Sequence, residues 1–382
     1  MNFLVCNCGS SSLKVALFDP NLACLFRTSV GRLSPENPDK PTKPWREAMK
    51  KILLELDAAG LRVDASAHRF VHGGLRFPGA VLVEPETRRV LGQMVNLAPL
   101  HHPFALTVLD AIEEAFPGAP HHAVFDSNAF FDLPMRARQI GLPKALCEEH
   151  GLRRYGFHGF SHEPAAKEVA RRLPTDSQDG LVITCHLGNG CSAAAWRGGE
   201  PLDCSMGYSP LSGMLMATRC GEIDANLVLD LVQSFDGDTE RVRRLLQSEG
   251  GLLGRCGESD FRDIQAMANA GNDSALEAIE LFVYRVQKSV TALLPASCQP
   301  LVALAFTGGI GEHQASVRER ICHGLGSLNI VLDDVANQNH ATLISAARSE
   351  IQIFVVPAEE ERTIAETLLA NRPSLPLASG RP

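Results

Sequence analysis

Two charged residues stand where a charge is expensive. Arg69 interrupts His68-Arg69-Phe70-Val71, a run that otherwise reads as a buried strand. Arg219 follows an apolar stretch rich in Gly and Met, ending Met216-Ala217-Thr218. An arginine in apolar surroundings needs an anionic partner, because an unpaired buried charge is very costly. A structural salt bridge would satisfy it. So would an anionic ligand, since a guanidinium grips a carboxylate or a transferring phosphoryl group through paired N–H bonds. Asp126 ends the apolar run Ala123-Val124-Phe125. Ligands gather at strand C-termini in open α/β sheets. Its carboxylate either binds Mg²⁺ through water or merely begins a loop. Glu359-Glu360-Glu361 open the last helical pattern. They complement the helix dipole, or one of them holds Mg²⁺. His158 lies in the compact loop Tyr155-Gly156-Phe157-His158-Gly159-Phe160-Ser161-His162. It is either structural or a donor to a phosphoryl oxygen.

Glycine-rich turns surround these candidates. Asn7-Cys8-Gly9-Ser10-Ser11-Ser12-Leu13-Lys14 sits between two apolar runs, and Cys185-His186-Leu187-Gly188-Asn189-Gly190-Cys191-Ser192 repeats that layout in the second half. Backbone N–H groups and small hydroxyls in such turns bind phosphate oxygens. One such turn is often only a hairpin. Two of them suggest a duplicated domain gripping a polyphosphate from both sides. Phe306-Thr307-Gly308-Gly309-Ile310-Gly311 runs from a strand into a helix, which suits a nucleotide phosphate. It is neither G-x-G-x-x-G nor a Walker A motif.

The elements that must position these residues alternate between strand and helix, which predicts α/β architecture. Residues 2–19 read as a hairpin and residues 32–44, with four prolines, as a surface excursion. Helical periodicity runs from Trp45 to Ala59 and recurs near 104–116 and 163–173. Short buried strands are predicted at 68–71 and 122–125. The pattern restarts after Gly151: a strand at 181–186, its return at 193–196, helices at 224–235, 238–248 and 275–294, and a strand at 301–306. A helix near 315–325, a strand at 351–356 and a final helix from Glu359 to Ala370 complete it. The domain boundary is expected near residue 150, giving domains 1–150 and 151–361. The final helix, about 362–372, is expected to fold back on the first half, and 373–382 to form a frayed tail.

Composition excludes several classes. The 382 residues suffice for two domains. A net charge of −8 gives no basic footprint for nucleic acid or an acidic membrane. No apolar run approaches the length of a membrane span. Eleven cysteines, none spaced C-x-x-C, fit a reducing cytoplasm better than a disulfide framework. The adjacent pairs His101-His102 and His121-His122 lack helical i,i+4 ligand spacing and read as surface or loop histidines.

Taken together, these segments resemble the acetate kinase family, within the actin-like ATPase superfamily. The resemblance rests on runs in family order: Asn7 to Lys14, His68 to Gly74, Leu97 to His101, Arg153 to Gly159, His186 to Gly190, Asp203 to Gly207, Asp260 to Asp263, and Phe306 to Glu312. It implies two duplicated actin-like ATPase (ribonuclease H-like) domains with a central cleft. It also implies a kinase that moves the ATP γ-phosphoryl reversibly to acetate, with Mg²⁺, or else Mn²⁺, as cofactor. On this resemblance Arg69 and Arg219 would hold acetate and the phosphoryl oxygens. His158 would stabilise the transition state, and Asp126 would orient the metal shell. Val71, Leu100 and Pro210 would form the methyl pocket. Asn7, Ser10, Ser12 and Lys14 would contact phosphate on one side; His186 and Gly188, Asn189 and Gly190 would do so on the other. Asp260, Phe261, Arg262, Gly309, Ile310 and Gly311 would line the nucleotide site. Asn7 and Glu360 would bind the metal.

The implied partners are small molecules and a second copy of the chain, with no nucleic acid or membrane. Propionate or butyrate as acceptor, and an actin-like binding protein without transfer activity, are the alternatives. The chain departs from the family pattern after Asp126: the usual Asp-Thr-Ala-Phe-His is Asp126-Ser127-Asn128-Ala129-Phe130. Phe160, His102 and Ala217 also replace a usual Thr, Asn and Gly, and Ala358-Glu359 a usual Thr-Asn.

Overall fold

The computed structural model describes residues 1–9, 11–31, 33, 41–99 and 101–370, with only the backbone of Asn96. Ser10, Leu100, most of the proline-rich excursion and the expected tail lie outside the described residues. The chain forms two compact units, Met1–Asn128 with Glu359–Pro382, and Ala129–Ala358.

The first unit is built on six strands: β1 (Phe3–Cys8), β2 (Leu13–Phe18), β3 (Cys24–Val30), β4 (Ala65–Phe70), β5 (Val81–Leu82) and β6 (His121–Phe125). Their order is β3-β2-β1-β4-β6-β5. β1 runs antiparallel to β2 and parallel to β4, which is parallel to β6. β1 and β6 read as near-continuous apolar runs because both their faces are covered. The helices Lys43–Ala58 and His102–Ala115 pack through Trp45, whose ring stacks on Phe104 with centroids 3.8 Å apart. Trp45 Nε1 donates to the Gly9 carbonyl at 3.2 Å, so the core helix also holds the first Gly turn.

The second unit has β7 (Leu181–Leu187), β8 (Cys191–Arg197), β9 (Glu200–Cys204), β10 (Leu301–Thr307) and β11 (Gln352–Val355). Their order is β11-β10-β7-β8-β9. β7 runs antiparallel to β8 and parallel to β10, and β10 parallel to β11. Read from its hairpin edge, this sheet repeats the first strand for strand, with only β5 lacking a counterpart. The two Gly-rich turns therefore occupy equivalent places, each joining the first two strands of a sheet.

Two expectations need correction. The boundary lies after Asn128, not near residue 150. Residues 129–150 belong with the second unit because Phe130 packs on Trp196 and the helix Met135–Arg138 lies against β9. The final helix, Glu360–Ala370, packs on β1, β2, β4 and β6 and so belongs to the first unit. The paired histidines are not all at the surface: His102 and His121 are buried. His121 opens β6 opposite Ser66, and the Ser66 hydroxyl hydrogen-bonds with His121 Nδ1 at 2.7 Å and His68 Nε2 at 2.8 Å. His102 Nε2 accepts from the His72 backbone N–H at 3.3 Å.

Burial, reinforced by His121, lowers the His68 pKa to about 3, and burial lowers that of His102 to about 4. Both are neutral in the fold but protonate near 6.5 when unfolded. Their stabilisation is thus complete above pH 6.5 and lost as the pH falls towards 4 and 3. At pH 5 the loss reaches about 2 kcal/mol per histidine. Urea midpoints should fall between pH 7 and pH 5, with a smaller fall in His68→Gln; equal falls in both proteins would contradict this assignment.

Candidate active site

Four segments bring the first constellation together. The parallel register sets Cys6 of β1 opposite His68 of β4, so Asn7 and Arg69 follow side by side. Arg69 pairs with Val124, and Asp126 lies two residues on, leaning to the same face. Arg69 Nε donates to Asp126 Oδ1 at 2.9 Å, and Nη2 donates to Asp126 Oδ2 to complete a two-pronged pair. Nη1 donates to Asn7 Oδ1 at 2.8 Å and lies 3.9 Å from Glu360 Oε2. The Asn7 amide nitrogen donates to Glu360 Oε2 and to Glu361 Oε1, both at 2.7 Å. Asn7, Asp126, Glu360 and Glu361 are all buried. Burial works against the charge on Arg69, but Asp126 and Glu360 outweigh it and hold the guanidinium firmly charged. Burial raises the Asp126 pKa, and Arg69 opposes the rise. Thus one guanidinium faces two carboxylates, and Asn7 links them to a third.

The second constellation centres on Gly190. A Cβ there would lie 2.9 Å from His158 Nε2 and 3.2 Å from Arg219 Nη2, so only glycine admits both groups. His158 caps the helix Gly159–Arg172 with φ 60° and ψ 31°, in the left-handed region. For a residue with a Cβ that conformation costs of order 1–3 kcal/mol. Its Nδ1 hydrogen-bonds with the Ser192 hydroxyl at 2.8 Å, and its ring lies 4.4 Å from that of His186. His186 Nδ1 hydrogen-bonds with Ser161 Oγ at 2.8 Å. Arg219 Nη1 donates to the Pro210 carbonyl at 2.6 Å. Gly251, at φ 63°, lets the following helix close on this loop; a Cβ there would meet the Met216 carbonyl at 2.3 Å.

Residues 2–366 match the model of the acetokinase family. The chain belongs to that family. An acetate kinase of Pseudothermotoga lettingae is 36% identical, with 96% of each chain covered. Among solved structures, Porphyromonas gingivalis acetate kinase gives a TM-score of 0.83 at 33% identity, covering 97% of this chain and 99% of that one. A propionate kinase from Francisella tularensis gives 0.86 at 33% identity, covering 96% and 98%.

The acetokinase residues expected from sequence are placed as follows. Arg69, Asp126, Asn7 and Glu360 meet in the first unit, and His158, Arg219, His186 and Gly190 in the second. Val71 is buried just after β4, whereas Leu100 lies outside the described residues. Pro210 serves here through its carbonyl, as the anchor of Arg219. Lys14 is exposed opposite Asn7 in the hairpin, and Ser12 closes the turn through its carbonyl, which accepts from Gly9 N at 2.8 Å. Asp260 caps the helix Phe261–Asn269 and pairs with Arg262, while Phe261 is buried against Phe282 at 5.3 Å. Residues 308–311 are not a free turn but the start of the helix Gly308–His313. Buried Arg318 holds this helix through the Gly311 and Glu312 carbonyls, both at 2.8 Å.

Sequence reasoning missed Glu361, Ser192 and His162. Glu361 was visible only as one of three adjacent acids. His162 carried a weak signal, as a second histidine in the same short run as His158.

The Asn7 amide separates two buried carboxylates. Each charge-assisted hydrogen bond contributes about 1.5–3 kcal/mol. Asn7→Ala, which removes both bonds, should therefore destabilise the protein by about 3–6 kcal/mol in denaturant unfolding; an unchanged midpoint would remove the amide from this role.

Proposed function

We propose that this chain is a phosphotransferase with a carboxyl acceptor, moving the ATP γ-phosphoryl reversibly to acetate by direct in-line transfer. The convergence of His158 Nε2 and Arg219 Nη2 at Gly190 carries the reading. Phosphoryl transfer needs positioning and charge neutralisation more than covalent chemistry. A neutral imidazole N–H and a guanidinium are suited to the equatorial oxygens of a transferring phosphoryl group. An acid acceptor is already ionised at neutral pH, so no strong base is required. Arg69 and Asp126 orient the acceptor and the reacting groups.

Mg²⁺ fits the first constellation. Three buried carboxyl groups gather here, and the oxygens of Glu360 and Glu361 lie 2.7 Å from one amide nitrogen. Among the described residues no three His, Cys, Asp or Glu side chains form a metal cage. Mg²⁺ is usually held by one or two carboxylates with substrate phosphates and water. Glu360, with Glu361 and Asn7 beside it, would hold it. The bound ion would neutralise phosphate charge.

The likeness to a propionate kinase supports a second acceptor. One methylene in an apolar pocket discriminates by only about 1–3 kcal/mol. Hydroxylamine trapping should yield hydroxamate from acetate, ATP and Mg²⁺, and a smaller yield from propionate. A larger yield from propionate would transfer the assignment to that acid, and none from any short acid would leave a nucleotide-binding protein. Arg219→Ala should lose most turnover, at least about 100-fold, with ATP affinity retained.

We further propose a cytoplasmic homodimer. All eleven cysteines are free thiols, and no helix among the described residues is long and apolar enough to cross a membrane. The helix Ala225–Ser234 buries none of its residues and leaves Leu227 47% and Leu229 66% exposed. An apolar helix left uncovered marks an interaction surface. Light scattering should give a dimeric mass that Leu229→Glu reduces to that of one chain; a monomeric native protein would refute the dimer.

A further inference from the structure

Behind His158 lies a chain of buried hydrogen bonds that has a direction. Trp196 Nε1 donates to Thr184 Oγ1 at 3.0 Å, and an indole nitrogen can only donate. Thr184 then has one proton to give. His162 Nδ1 lies 2.8 Å away and the Ala194 carbonyl 3.4 Å away, so the proton goes to the imidazole. His162 is buried, and burial, with His186 beside it, keeps its pKa well below the ordinary value. A neutral imidazole carries one N–H. With Nδ1 accepting, that N–H is on Nε2, which lies 2.7 Å from Ser192 Oγ. Ser192 accepts there and turns its own proton to His158 Nδ1 at 2.8 Å.

We propose that Trp196, Thr184, His162 and Ser192 fix the tautomer of His158, placing its proton on Nε2, the nitrogen beside Gly190 and Arg219. These four are positioning residues; they act through His158 and touch no reacting atom. The opposite polarity would require Thr184 to choose the more distant acceptor. It would leave His158 Nε2 a bare lone pair, which repels a phosphoryl oxygen. That the Nε2–H serves a phosphoryl oxygen rests on the kinase reading above; the tautomer does not.

The test begins with the native protein labelled with ¹⁵N-histidine and free of substrates. Long-range ¹H–¹⁵N spectra, with His158→Gln for assignment, should show a protonated Nε2 and a bare Nδ1 on His158. A protonated Nδ1 would overturn the proposal without any variant. Thr184→Val removes the directing hydroxyl, and Thr184→Ser retains it. The valine variant should show mixed His158 tautomers and a kcat lowered at least about tenfold with KM near native. A wrong tautomer costs up to about 10⁴ in serine proteases, and a mixture costs less. The serine variant should restore both readouts. A His158 tautomer unchanged in Thr184→Val would overturn the proposal. The expected tautomers without acid-dependent phosphoryl transfer would support the relay and refute the kinase reading.

Discussion

Arg69, its partner Asp126 and the acids gathered at Asn7 set the constraint on which the first unit depends. A guanidinium can be buried beside Asp126 because the pair is two-pronged and Asn7 accepts from a third N–H. Glu360 and Glu361 add two more buried carboxyl groups beside it. Three features make them tolerable. They begin a helix, where the dipole favours anions. Asn7 donates to both while accepting from Arg69. Asp126 is itself pushed towards protonation by burial. The cluster needs strands from three places in the sheet and a helix from the end of the chain. That requirement explains why the final helix must pack on β1, β2, β4 and β6.

Duplication gave both units the same strand order and the same hairpin turn, but the residues at those strand ends diverged. The first unit holds acids around one arginine. The second holds hydroxyls and imidazoles near Gly190, with Arg219 close by. On the proposed function, the first set would hold a divalent cation and the second an oxyanion. A fold repeated twice thus supplies two chemistries because a few side chains differ, while the sheets that carry them do not.

Much of this was legible in the sequence, for identifiable reasons. The buried strands of the parallel layer announced themselves as apolar runs, and Arg69 and Asp126 stood out against them. The edge strands β3 and β9 did not. Cys24–Val30 and Glu200–Cys204 are half exposed, so neither has a continuous apolar signal. The helix Gly308–His313 was unreadable because three glycines argue against helix locally. Arg318 and the β10 register override that preference. Phe261 lay inside a family run and so read as a ligand contact. Only tertiary packing reveals that its ring belongs to the core with Phe282. Hydrogen-bonded partners such as Glu361 and Ser192 are invisible for the same reason: residues tens or hundreds of positions apart meet only in the fold.

Phe130 shows how a departure from the family pattern can be coherent. It stands where the resemblance led us to expect histidine, and it is fully buried. Its ring lies 5.5 Å from that of Trp196 and 6.0 Å, edge-on, from that of His162. A Cβ on Gly156 would come within 2.5 Å of it, so the backbone is closed down on this ring. An imidazole here would bring a second donor and acceptor beside His162 and Trp196. It would compete for Thr184 or need a partner of its own, since a buried polar group left unpaired is costly. A phenyl ring does neither. It excludes water from one side of the relay, deepens the burial that keeps His162 neutral, and leaves the Trp196 N–H as the donor that sets the direction. The substitution removes a titratable group and makes the remaining hydrogen-bond order less ambiguous.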